Sequence, residues 1–176
     1  PEQREALQVI LRNSEALTEL VADILSIMEV SASKTTLTSV SMLEVVQDSL
    51  ANFQFAARQS GVVLVPEIQS GNGPFQITAR PDHLRRIMDN LLSNAIKFTP
   101  TDGQVNVRLW QDTGRVFVEV SDSGIGIPAE YQDRVFERFF QVDGTRQRRF
   151  GGTGLGLALV KELVESYGGR VSAASS

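Results

Sequence analysis

Asn90 and Asn94 stand four residues apart in the segment Asp89-Asn90-Leu91-Leu92-Ser93-Asn94-Ala95-Ile96-Lys97-Phe98, and Lys97 follows three residues later. On a helix this spacing sets two carboxamides and an ammonium along one stripe. Such a stripe can offer oxygen ligands to Mg²⁺ and positive charge to phosphate. It can equally be a solvated polar face, with Leu91, Leu92, Ala95 and Ile96 turned toward a core. A second cluster, Asp122-Ser123-Gly124-Ile125-Gly126-Ile127-Pro128, follows a strand-like run. Its glycines let the backbone turn tightly and approach a ligand closely, and Asp122 is placed to accept hydrogen bonds from an amine. Gly124-x-Gly126-x-x-Ala129 also satisfies a relaxed dinucleotide-binding pattern. The charged, aromatic, Arg-rich stretch from Tyr131 to Phe150 provides no second parallel strand with an acidic ribose ligand, so that reading is rejected.

Two further clusters lie downstream. Phe136-Glu137-Arg138-Phe139-Phe140 has the aromatic density of a core segment, and the polar run Gln141 to Phe150, with Arg146, Arg148 and Arg149, suggests a mobile loop hinged on it. Gly151-Gly152-Thr153-Gly154-Leu155-Gly156-Leu157 opens a helical run. A helix start of this kind presents backbone N–H groups and the positive end of the helix dipole to phosphate. It is not a P-loop. Gly151 and Gly156 are correctly spaced, but Leu157 and Ala158 occupy the positions that require Lys and Ser or Thr.

The elements that must position these clusters are legible from periodicity and caps. Leu7, Ile10, Ser14, Leu17, Val21, Ile24 and Met28 form a heptad seam on a long amphipathic helix from about Glu2 to Val30, widened by Leu11, Leu20, Leu25 and Ile27. Packing on its own domain's core would leave the same pattern; its place before the polar stretch Val30 to Thr36 favours self-association. A short strand is expected over Thr36–Val40. Ser41 with Glu44 is a capping box for a helix from about Met42 to Gln59, ended by Gly61. Strands are expected over Val62–Ile68 and Phe75–Ala79, and a helix over Pro81–Phe98 with proline in its first turn. Val105–Gln111 and Arg115–Val120 alternate around Asp112-Thr113-Gly114 as a hairpin. A short helix from about Pro128 and a last one over Leu155–Tyr167, closed by Gly168-Gly169, complete the set. This order predicts an α+β protein, a two-layer α/β sandwich preceded by one long helix.

Composition agrees with an ordinary globular protein: 41% hydrophobic and 22% charged residues suffice for a core. A net charge of -4 lacks the basic surplus of a nucleic-acid binder, so no nucleic-acid partner is expected. With no cysteine, disulfides and thiolate metal sites are excluded. No apolar run reaches the length of a membrane span, and the start at Pro1 points to a fragment whose parent could carry an anchor elsewhere.

The ordered set Asn-x-x-x-Asn-Ala-x-Lys-Phe, Asp-x-Gly-x-Gly-Ile, Phe-Glu-Arg-Phe-Phe and Gly-Gly-Thr-Gly-Leu-Gly-Leu resembles the N, G1, F and G2 boxes of sensor histidine kinases. These belong to a superfamily shared with type II topoisomerases, mismatch-repair ATPases and heat-shock chaperone ATPases. The resemblance implies a Bergerat-type ATP-binding fold over residues 33–176. It also implies that residues 1–32 are the second helix of a dimerisation hairpin. ATP and Mg²⁺ are the implied cofactors. Asn94 would hold the metal with Asn90 beside it, Lys97 would neutralise phosphate charge, and Phe98 would shape the pocket. Asp122 would accept from the adenine amine while Gly124, Gly126 and Ile127 line the base. Gly152, Thr153, Gly154, Leu155 and Gly156 would wrap the phosphates, with Gln141–Phe150 as a lid.

The resemblance also implies a homodimeric full-length kinase, cytoplasmic in this part, whose partner is a response-regulator receiver domain. Topoisomerase and chaperone relatives look to a Glu at the position of Asn90 as the base that activates water. Asn takes no proton at neutral pH, which suits transfer to a histidine over hydrolysis. Two departures stand out. The one histidine, His83, lacks the adjacent acid and following proline of a phosphoacceptor and is expected at a surface or helix end. After Gly169-Arg170-Val171 the residues Ala173-Ala174-Ser175-Ser176 offer no counterpart of the family's closing strand. A superfamily ATPase, or a module that binds nucleotide without chemistry, are the other readings.

Overall fold

The computed structural model describes Ser14, Leu17, Thr18, Val21 and residues 36–69, 74–142 and 153–175. The chain divides into two compact units, one formed by Lys34–Gln132 with Ala174–Ser176, the other by Pro1–Ser33 with Asp133–Ala173. The architecture is α+β, and among the described residues no helix is long and apolar enough to cross a membrane.

The first unit opens with strand β1 (Thr38–Ser41) and helix α1 (Met42–Gln59). Ser41 is extended at the N-cap, and its hydroxyl accepts from the Glu44 N–H at 3.4 Å, satisfying one of the donors that a helix start leaves open. Met42, Val45, Val46 and Ser49, at steps of three, one and three, form the buried stripe. Gly61, at φ +69°, turns the chain out of the helix, and its carbonyl accepts from Asp102 N–H at 2.8 Å. β2 (Val63–Ile68) and β3 (Gln76–Ala79) follow as expected, but they do not share a sheet. β3 pairs antiparallel with β1, whereas β2 pairs parallel with β4 (Gln104–Asp112).

Helix α2 (Pro81–Phe98) connects these strands. It starts without a side-chain cap; instead the Arg80 guanidinium holds the first-turn Asp82 at 2.5 Å, and that hydrogen bond lowers the Asp82 carboxyl below its usual range. Its buried face is Leu84, Ile87, Met88, Leu92, Ala95 and Ile96. At the other end the buried Thr99 donates twice to Ala95 O, from its N–H at 3.1 Å and from its hydroxyl at 2.7 Å, which satisfies the hydroxyl inside the last turn. β4 and β5 (Arg115–Asp122) form the expected hairpin. Thr113 at φ +47° and Gly114 at φ +77° give it the two positive angles of a type I′ turn. Val105, Val107 and Leu109 of β4 are fully buried on one face. On the opposite face Trp110 stacks on Phe117 with ring centroids 5.2 Å apart, and Arg108 lies over Trp110. Helices α1 and α2 pack on each other and on the strands, giving a two-layer arrangement. A 3-10 turn at Ala129–Tyr131 replaces the short helix expected from Pro128.

In the second unit α3 (Gly156–Ser166) buries Ala158, Leu159, Val160 and Leu163. Gly168 N–H and Gly169 N–H close it by donating to Glu165 O and Val164 O. Ser14, Leu17, Thr18 and Val21 are helical, with Leu17 63% and Val21 52% exposed on the expected seam. The rest of that helix, with Leu7, Ile10, Ile24 and Met28, lies outside the described residues.

Candidate functional site

Asn90, Asn94 and Lys97 lie on α2 as the spacing requires, all three half-buried. The Asn90 carboxamide nitrogen donates to Arg86 O at 2.9 Å, one helical turn back, which leaves its oxygen as the atom a ligand would meet. Lys97 Nζ sits 5.1 Å from the centroid of the Phe98 ring, a cation–π contact that holds the ammonium beside the helix end. His83 is half-buried in the first turn of α2, so the expected helix-end position holds and an open surface position does not. Asp89, next to Asn90, is a half-buried carboxylate: burial raises its carboxyl above the ordinary value, and Arg86 and Arg85 offset part of that rise.

The glycine loop joins this helix directly. Ile125 N–H donates to the Phe98 carbonyl at 3.3 Å, fastening the loop after β5 to the last residue of α2. Gly124 fits because it has no side chain: a Cβ there would lie 2.5 Å from both Phe98 O and Asp122 Oδ1. Asp122 ends β5, exposed, with Oδ1 accepting from Gly124 N–H at 2.9 Å. Ser123, which the spacing did not single out, couples the loop to the sheet. Its hydroxyl accepts from Gln104 N–H at 2.9 Å and its N–H donates to Gln104 O at 3.0 Å. Gly126 has φ +70°, and Ile127 follows half-buried.

In the second unit, Thr153 to Gly156 lead into α3. Gly154 is at φ +70°, and a Cβ on it would lie 2.8 Å from the Phe139 carbonyl carbon. Its carbonyl accepts from Phe139 N–H at 2.9 Å, so the aromatic cluster and the glycine segment are laced together. Phe139 itself takes φ +62°, uncommon for an aromatic residue, and is 65% exposed. Leu155 is buried, and its N–H is occupied by Thr153 Oγ1 at 3.2 Å. Gly156 is the first residue of α3. Gly151, Gly152 and, apart from Gln141 and Val142, the expected Gln141–Phe150 lid lie outside the described residues.

The described residues hold no cluster of three or more His, Cys, Asp or Glu able to bind a metal. The α2 stripe can offer a Mg²⁺ ion carboxamide oxygen, a donor this hard cation accepts alongside phosphate and water. Ser123, Gln132 and Ser175 support the loop, Thr99 finishes the helix the loop is fastened to, and all four were missed from the sequence. Each is a common polar residue with no spacing signal of its own.

Residues 79–176 match the family model described as histidine kinase-, DNA gyrase B- and HSP90-like ATPase. The chain is 40% identical over 176 residues to the circadian input-output histidine kinase CikA of Synechococcus elongatus, covering 99% of this chain and 23% of that protein. It thus spans under a quarter of that relative's length. Full-length ShkA in complex with AMPPNP superposes with a TM-score of 0.81 at 28% identity, over 100% of this chain and 36% of that one. The mycobacterial sensor histidine kinase MprB gives 0.64 at 35% identity, over 76% and 81%. The chain belongs to the histidine kinase-, DNA gyrase B- and HSP90-like ATPase family, and its domain there is the catalytic ATP-binding domain of a histidine kinase.

Proposed function

We propose that this chain binds Mg·ATP and orients its γ-phosphate for transfer to a histidine that is not among these residues, and from there to the aspartate of a response-regulator receiver domain. The observation that carries the reading is the Ile125-to-Phe98 backbone bond, which joins the asparagine helix to the glycine loop within one compact unit. AMPPNP, the nucleotide named with ShkA, is an ATP analogue and supports the same ligand here.

In this reading Asp122 accepts from the adenine amine through the carboxylate oxygen not used by Gly124. Gly124, Gly126 and Ile127 lie along the base. A bound divalent cation would supply charge neutralisation to the phosphates. Asn94 orients it with Asn90 beside it, Lys97 places a cation near the phosphates, and Phe98 walls the pocket. Gly152, Thr153, Gly154, Leu155 and Gly156 wrap the phosphates, Leu155 by holding the segment in place, since its side chain is buried and its N–H is taken by Thr153 Oγ1. Asn90 and Lys97 are the residues closest to chemistry, and they work by positioning and charge, since phosphoryl transfer asks little covalent help of a protein. Residues 1–32 serve as a dimerisation helix of a homodimeric full-length kinase, in which this domain is cytoplasmic.

Calorimetry of ATP against GTP, with and without Mg²⁺, tests the reading. Wild type is expected to take ATP in preference to GTP, and Asn94→Asp to change the metal dependence of binding. A well-folded wild type that binds neither nucleotide would overturn it.

A further inference from the structure

The second half of the glycine loop is gripped by contacts that the roles above leave unused. Ile127 is held at both of its backbone polar atoms. Its N–H donates to Ser175 Oγ at 3.0 Å, and its carbonyl accepts from Gln132 Nε2 at 3.2 Å. The same Nε2 donates to the Ser175 carbonyl at 3.2 Å. A carboxamide NH₂ has two hydrogens, so these two bonds use its entire donor capacity. Gln132 is aimed by the 3-10 turn: it is that turn's C-cap, with its own N–H directed at Ala129 O. Gly126 admits the arrangement, because a Cβ there would lie 2.9 Å from Ser175 Oγ. All of these residues belong to the same compact unit.

We propose that Gln132 is a positioning residue of the base pocket. By tying Ile127 to Ser175 it fixes the arc from Asp122 to Pro128, and adenine-nucleotide affinity therefore depends on Gln132 through Ile127. This rests on the assignment of the loop to the adenine base. The opposite end of the arc has its own fastenings, Gly124 to Asp122 and Ile125 to Phe98, so losing the Gln132 contacts loosens one end and leaves the fold standing. The position needs two donors and no charge. A carboxylate would set acceptors against two carbonyl oxygens, and a thioether of similar length would donate nothing.

The test compares wild type, Gln132→Glu and Gln132→Met in the whole 176-residue chain. Amide hydrogen exchange at Ile127 is followed without nucleotide, and Mg·ATP affinity is measured by calorimetry. Both variants are expected to exchange faster at Ile127 and to bind ATP about tenfold more weakly, the scale of losing a buried hydrogen bond or two. Lowering the pH protonates the introduced Glu and restores one donor. Affinity of Gln132→Glu, normalised to wild type at the same pH, is then expected to recover while Gln132→Met stays flat, a distinction that mere loss of packing would not produce. Unchanged exchange at Ile127 in both variants overturns the latch. Faster exchange with unaltered ATP affinity overturns its link to the pocket. A wild type that binds no ATP while the variants still exchange faster overturns the nucleotide reading and this assignment with it, and is told apart by the intact exchange result.

Discussion

At the scale of single residues, the proposed function gives the Asp122 carboxylate two tasks. One oxygen holds the loop through Gly124 N–H, and the other would take the ligand amine. Asp122→Asn can keep the first bond through its carbonyl oxygen, but it then points an NH₂ group where an acceptor is required. ATP affinity is expected to fall about 10- to 100-fold, from one lost bond and one donor set against a donor. Discrimination against GTP, whose base carries a carbonyl in place of the amine, is expected to narrow; titration of both nucleotides reads out both effects. Asp89 makes a different kind of prediction. Burial raises its folded-state carboxyl above the value of the unfolded chain, so its charged form disfavours folding. Stability is unaffected at pH values below the unfolded value of 3.8 and declines as pH rises through the higher folded value. Asp89→Asn is expected to raise the melting temperature by about 1–3 °C at pH 7, a small effect because the group is only half-buried. Melts repeated near pH 3 should show the difference gone.

At the scale of elements, legibility followed the physics of local and non-local order. α1 and α2 were readable because their ends are signalled by Ser41 and Gly61 for the first and by Pro81 in the first turn of the second. Ser41→Ala is expected to cost about 1 kcal/mol in chemical denaturation, with little change in the slope against denaturant. The β4–β5 hairpin was readable because two alternating runs flank a short turn in which Gly114 permits positive φ; Thr113 takes its φ of +47° against the preference of a β-branched residue. The pairing of β2 with β4 and of β1 with β3 was not readable. Val63 meets Gln104 across a long connection, and nothing local in Val63–Ile68 names a partner. The same limit applied to the candidate site. The N and G1 clusters were visible as glycine and asparagine patterns, while Thr99, Ser123, Gln132 and Ser175 act through contacts made only after folding.

At the scale of the whole molecule, a ligand that binds only the folded chain must stabilise it. Mg·ATP at a hundred times its dissociation constant is expected to add about 2.7 kcal/mol, or roughly 5–10 °C in melting temperature for a chain of this size. Scanning calorimetry at rising nucleotide concentration measures this, and a concentration-independent melt would contradict the binding assignment. The parallel β2–β4 pair has a consequence for the order of assembly. Parallel strands cannot be joined by a tight turn, so everything from Gln69 to Gly103, α2 included, is the crossover between them. The sheet cannot close until the helix bearing Asn90, Asn94 and Lys97 has been carried across it. Pairings of that kind are slow because chain entropy is lost before the contacts are gained. The helix proposed to hold the nucleotide is therefore also the segment on which refolding waits. Substitutions along its buried face, at Met88 or Leu92, should retard the folding rate as well as lower stability, whereas those in the β4–β5 turn should act mainly on unfolding.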